Sequence, residues 1–155
     1  MPMFIDSFGF TIIEMVIAML IISIAVALTV PNFNKILGSY QLDISAREMA
    51  SDIRDLQQTA VKTQASNYSV LWNRQTETYH LCTGTTSYKT VNLPSSVDLV
   101  ESPVIDNLPK LGFAPSGRPN NGFGGRVKLM DKNTGKNKYV IVDTLGRVRV
   151  SDTYW

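Results

Sequence analysis

The sequence lacks most of what small catalytic and metal-binding proteins are built from. Its 155 residues include one cysteine, Cys82, and one histidine, His80. One cysteine forms no internal disulfide, and one Cys with one His falls short of the usual zinc ligand set, so disulfide scaffolds and zinc fingers are excluded and no metal or cofactor is expected. Positive charge is absent before Lys35, where Asp6 and Glu14 are the charged residues. The glycine-rich stretch Gly117-Arg118-Pro119-Asn120-Asn121-Gly122-Phe123-Gly124-Gly125 has no Gly-Lys-Ser/Thr ending, which excludes a phosphate loop and leaves a flexible surface loop.

What is present is unevenly spread. The mean hydropathy of −0.01 averages a largely soluble chain with a run of 21 residues, Phe10 to Val30, whose one charge is Glu14. Residues 1–109 carry 6 basic and 10 acidic side chains, against 9 basic and 3 acidic in 110–155. That asymmetry points to an anionic partner for the last third of the chain.

As a helix the apolar run would measure about 31 Å at ~1.5 Å per residue, enough for a ~30 Å hydrocarbon core. The rival is an ordinary cleaved secretory signal preceding a secreted β-domain. Ala25-Val26-Ala27 supplies a small-residue cleavage site before Leu28, but the basic flank and the shorter apolar core are missing. Glu14 bears on the choice, since a carboxylate in a lipid-embedded helix costs several kcal/mol unless it stays wet at headgroup level or meets a cation.

Gly9-Phe10-Thr11-Ile12-Ile13-Glu14 resembles the processing motif of type IV pilins and type II secretion pseudopilins. The resemblance implies a leader at 1–9, cut by a membrane prepilin peptidase between Gly9 and Phe10. It implies N-methylation of Phe10, and assembly through Glu14, which would pair with the terminal amine of a neighbouring subunit. The physics is consistent with that role: two costly charges neutralise each other when subunits stack with an axial offset. Pro31, 21 residues after Phe10, matches a helix-kinking proline of many pilins. Leaders of the family usually carry Lys or Arg and this one has neither, so orientation rests on the resemblance: a single pass through the cytoplasmic membrane, with the head outside the cytoplasm.

After Pro31, Leu42, Ala46, Met49, Ile53, Leu56 and Ala60 make one apolar stripe at helical spacing. Asp43, Arg47, Glu48, Asp52, Arg54, Asp55 and Lys62 occupy the other faces, read as solvated. A coiled-coil partner is disfavoured by the short stripe, about three heptads, and by the β-rich region that follows. From Asn67 onward β-type segments recur at 68–72, 78–82, 88–93, 126–130, 138–142 and 147–150. Asp131–Asn137 and Thr144-Leu145-Gly146 read as the turns of a terminal meander. The expected fold is α+β and pilin-like: a leader (1–9), a membrane-spanning and assembly helix (10–30), its amphipathic second half (31–66), and an antiparallel head (67–155) on which that second half packs. Leu111-Gly112-Phe113-Ala114-Pro115-Ser116-Gly117-Arg118 and Gly146-Arg147-Val148-Arg149-Val150 resemble the GspH/FimT-type minor pilins and pseudopilins.

No enzyme is expected. His80 and Cys82 share a strand face without an orienting Asp or Asn, and read as packing. The implied role is a structural subunit of a secretion pseudopilus or type IV pilus. Its partners would be prepilin peptidase, other pilins and, before assembly, inner-membrane lipid. DNA binding during natural transformation is the alternative. Arg126 and Lys128 alternate with Val127 and Leu129, and Arg147 and Arg149 with Val148 and Val150, so these cations are expected on one solvent face where they would meet phosphates. Tyr154 and Trp155 would add stacking on single strands.

Overall fold

The structure is a computed structural model describing residues 9–104 and 108–154; inside the long helix, the side chains of residues 28–32 and 34 lie outside the description. The expected leader is thus outside it except for Gly9. The chain forms two compact units, one reaching to Lys35 and one from Ile36 onward. One helix, α1 (Ile12–Thr63, 52 residues), contributes to both. It starts and stops slightly inside the predicted Phe10–Ser66. Its end is a Schellman closure: Gln64 takes a left-handed φ of 53°, the Ala65 N–H donates to the Ala60 carbonyl at 3.1 Å, and the Gln64 N–H donates to that of Val61 at 3.3 Å.

In the first unit the large apolar side chains described from Ile12 to Val26 are all exposed, Ile12 by 88%. Among the described residues no helix is long and apolar enough to cross a membrane. The described apolar surface, Ile12–Ala27, covers about 24 Å at ~1.5 Å per residue, short of ~30 Å. The rest of the predicted span, Leu28, Thr29 and Val30, has side chains outside the described ones, as does Pro31. The helix assignment runs on through Pro31.

The second unit holds the core. The predicted stripe Leu42, Ala46, Met49, Ile53, Leu56 and Ala60 is buried to 2% exposure or less, and Ala50 joins it. It packs with two antiparallel four-stranded sheets rather than the one expected. The first has the order β3-β2-β1-β5, from β1 (Tyr68–Asn73), β2 (Thr78–Thr83), β3 (Thr86–Asn92) and β5 (Lys110–Phe113). The second has the order β4-β6-β7-β8, from β4 (Val97–Glu101), β6 (Gly125–Asp131), β7 (Asn137–Val142) and β8 (Val148–Ser151). The predicted meander is β6-β7-β8, and Gly146 turns the last reversal at φ 86°. β4 and β5 do not stand out in the sequence. Both are short, prolines flank the region, and β5 contains Gly112, so neither shows a full β period. Val97, Leu99, Leu111 and Phe113 are nonetheless in the core.

Polar contacts also tie α1 to the sheets and their turns. Asp52, expected on a solvated face, is buried: Tyr79 Oη donates to its Oδ2 at 2.8 Å and Lys89 Nζ to its Oδ1 at 2.6 Å. Gln57 Nε2 donates to the carbonyls of Gly117 at 2.5 Å and Gly146 at 2.8 Å. Asp131, fully buried at the β6–β7 turn, accepts from the Asn133 N–H at 2.9 Å, Thr134 Oγ1 at 2.5 Å and Ser39 Oγ at 3.4 Å. A Cβ on Gly38 would come within 2.7 Å of the Asp131 carboxylate, which explains a glycine inside a helix.

Gly38→Ala should therefore destabilise the unit from Ile36 onward by ~1–3 kcal/mol in urea unfolding, although Ala is the better helix former by ~1 kcal/mol. Burial of Asp131 opposes ionisation, but the donors on Thr134, Asn133 and Ser39 outweigh it and hold its carboxyl below the ordinary value. A depressed folded pKa gives stability that is present above the unfolded value of ~3.9 and is lost as pH falls through the folded one. Stability should thus fall below about pH 4, and Asp131→Asn should flatten that fall.

Candidate functional site

The motif residues lie at the start of α1. Gly9, Phe10 and Thr11 are non-helical and exposed, Phe10 by 79%. A Cβ on Gly9 would meet nothing within 4 Å, so packing among the described residues places no demand for glycine there. Thr11 is the helix cap: its Oγ1 accepts from the Glu14 N–H at 3.3 Å, and its carbonyl accepts from the N–H groups of Glu14 and Met15 at 3.1 and 3.2 Å. The spacing Thr-x-x-Glu is that of a capping box, which the sequence reading did not use. Glu14 is in the first turn, where helix amides favour a negative charge, and is exposed with no side-chain bond among the described residues.

The second candidate is the basic face of the β6-β7-β8 meander. Register places Arg126 beside Ile141 and Ile141 beside Arg149, with Lys128 beside Tyr139 in the next row. Val127 and Leu129 are buried and Val148 and Val150 pack on the core, so the predicted alternation holds. The four cations do not form one free patch. Arg147 precedes β8 and its Nε bonds Asp143 at 2.6 Å; that partnership, led by the Arg147 backbone N–H, holds the Asp143 carboxyl below its usual range. Arg126 Nε bonds Glu101 at 3.2 Å, and its guanidinium carbon lies 3.9 Å above the Tyr154 ring. Lys128 and Arg149 make no side-chain bond among the described residues. Trp155 lies outside them.

Cys82 is buried, which pushes its thiol pKa up and away from a reactive thiolate. His80 bonds Thr90 Oγ1 at 2.9 Å.

Residues 6–30 match the family model for the prokaryotic N-terminal methylation motif. No curated protein matches the sequence. Among solved structures, the chain is similar to the type IV minor pilin FimU of Pseudomonas aeruginosa PAO1, with a TM-score of 0.59 and 11% identity over 73% of this chain and 90% of that one. It is also similar to the minor pseudopilin EpsH of the type 2 secretion system of Vibrio cholerae, with a TM-score of 0.58 and 14% identity over 72% and 96%. A second crystal form of FimU gives 0.57 and 12% over 71% and 92%. The chain thus carries the methylation motif and has a pilin-like fold. In this pilin-like chain the methylation motif coincides with the exposed, capped start of α1, and the fold shared with the minor pilin and minor pseudopilin includes the helix on its sheets.

Thr11→Val should cost the first turn of α1 ~0.5–2 kcal/mol, because the Glu14 amide loses its side-chain acceptor and keeps only the Thr11 carbonyl. The expected reading is faster hydrogen exchange at Glu14 and Met15 with unchanged protection at Ile53.

Proposed function

We propose that the protein is a minor pilin or pseudopilin, a structural subunit of a type II secretion pseudopilus or a type IV pilus. In this reading a prepilin peptidase cuts between Gly9 and Phe10, Phe10 is N-methylated, and inner-membrane lipid holds the apolar helix until neighbouring pilins replace it. The observation that carries the reading is the exposed carboxylate of Glu14 at the head of a helix whose large apolar side chains, from Ile12 to Val26, are also exposed. Such a surface needs lipid or other helices, and within either the carboxylate needs a cation. The amine released at Phe10 supplies one if the next subunit is offset along the axis. The exposed, non-helical Gly9–Phe10 junction suits a protease that needs extended backbone.

Mass spectrometry of membrane-extracted protein should find a methylated Phe10 terminus, whereas a terminus at Leu28 would instead support an ordinary secretory signal. Glu14→Gln should leave cleavage largely intact and reduce filament incorporation. Equal incorporation of both forms would remove the pairing argument.

A second reading, DNA binding for uptake, is favoured by Lys128 and Arg149, which have no carboxylate partner among the described residues on a face that the fold keeps out of the core. The ion pairs of Arg126 and Arg147 weaken it, because a phosphate must compete with Glu101 and Asp143 for them.

A further inference from the structure

An aromatic and cationic groove lies at the rim of the basic face. Phe123, Arg126 and Tyr154 line it together with Ile141 and Asp143. Phe123 is 84% exposed, yet the loop that carries it is tightly built. Asn121 Oδ1 accepts from the N–H groups of Phe123 at 3.2 Å and Gly124 at 3.0 Å, while its Nδ2 donates to the Gly124 carbonyl at 2.7 Å. Gly124 has φ 78°, and a Cβ there would lie 2.1 Å from the Val142 carbonyl, so the loop is pressed against β7 and only glycine fits. The expectation of a flexible loop does not describe such an arrangement. The loop backbone is held by Asn121 and Gly124, and the Phe123 ring that it carries stands in solvent.

Across the groove the Tyr154 ring, 46% exposed, stacks on the Arg126 guanidinium and meets the Tyr139 ring edge-on at 6.2 Å between centroids. Two exposed rings thus flank a guanidinium. Lys128 and Arg149, in the neighbouring positions of the ladder, add positive charge. Of the nearby carboxylates, Asp143 and Glu101 are each engaged by an arginine, and Asp152, which lines a cleft with Arg149, is engaged by Lys138. Rings alone would suit any apolar partner; rings set among cations without free carboxylates suit a polyanion that also offers flat apolar faces.

We propose that this groove is a stacking site for the unpaired bases of single-stranded nucleic acid, with Phe123 and Tyr154 as platforms and Lys128 and Arg149 on the flanking phosphates. The inference rests on the DNA-binding reading and adds to it a preference for single strands, since the bases of a duplex already stack on each other. Phe123 is the residue that distinguishes it, because it lies outside the basic strands and carries no charge.

The test is anisotropy titration of the full chain in detergent micelles with a fluorescein-labelled oligothymidine strand and with a duplex of equal length, at about 50 mM salt and above. The wild type should prefer the single strand. Phe123→Ala should weaken single-strand binding roughly 5- to 100-fold, leave duplex binding within about twofold, and leave the salt slope unchanged, because stacking releases no counterions. Tyr154→Ala should act in the same direction. Arg149→Gln should instead weaken both and flatten the slope by about one unit. Circular dichroism keeps folding separate, and exposed Phe123 should not alter it. If the wild type binds neither DNA, the DNA reading fails and the stacking site with it. If it binds both and Phe123→Ala changes them equally or not at all, the stacking site alone is overturned. Loss of co-assembly with a partner pilin in Phe123→Ala, without loss of single-strand binding, would assign the groove to protein docking and also overturns the proposal.

Discussion

The interface between the second half of α1 and the two sheets is the contact on which the head depends. Each sheet has one apolar face, and a small sheet with such a face open to water is marginal at best. The stripe from Leu42 to Ala60 meets both: Val70, Trp72, Tyr79, Leu81, Leu111 and Phe113 from the first sheet, and Val97, Leu99, Val127, Leu129, Val140 and Val142 from the second, are buried in the same cluster. The alanines at 46, 50 and 60 are fully buried in it alongside the large residues.

Apolar packing alone leaves helix rotation and sliding weakly specified, and the buried polar contacts remove that freedom. Asp131 reaches α1 at Ser39 past Gly38, Asp52 reaches β2 and β3, and Gln57 reaches two separate turns. These fix points, at Ser39, Asp52 and Gln57, are spread along the second half of the helix, so a shift of one residue would strand buried donors or acceptors at each. The same logic explains why Asp52 cannot be read as one more charge on a solvated face: its partners come from strands distant in sequence.

The start of α1 follows the opposite rule. Thr11 and Glu14 are organised locally, by the cap and the first turn, and the large apolar side chains described from Ile12 to Val26 are exposed. That exposed surface, with the Glu14 carboxylate in its first turn, is the feature on which the proposed assembly rests.

By itself the sequence determined everything set by period and local chemistry. The apolar stripe, the alternation of Val127, Leu129, Val148 and Val150 with cations, the β6-β7-β8 meander and the Gly9–Glu14 motif were all legible, because each repeats at the period of its element or lies within a few residues. The short strands β4 and β5, the division into two sheets and the burial of Asp52 were decided only in the tertiary structure. So were the pairing of Arg126 and Arg147 with carboxylates and the placing of Phe123 and Tyr154 along one groove. Each depends on contacts between segments far apart in the chain or on loop closures that no periodicity encodes, and burial supplies the energy that local propensity lacks.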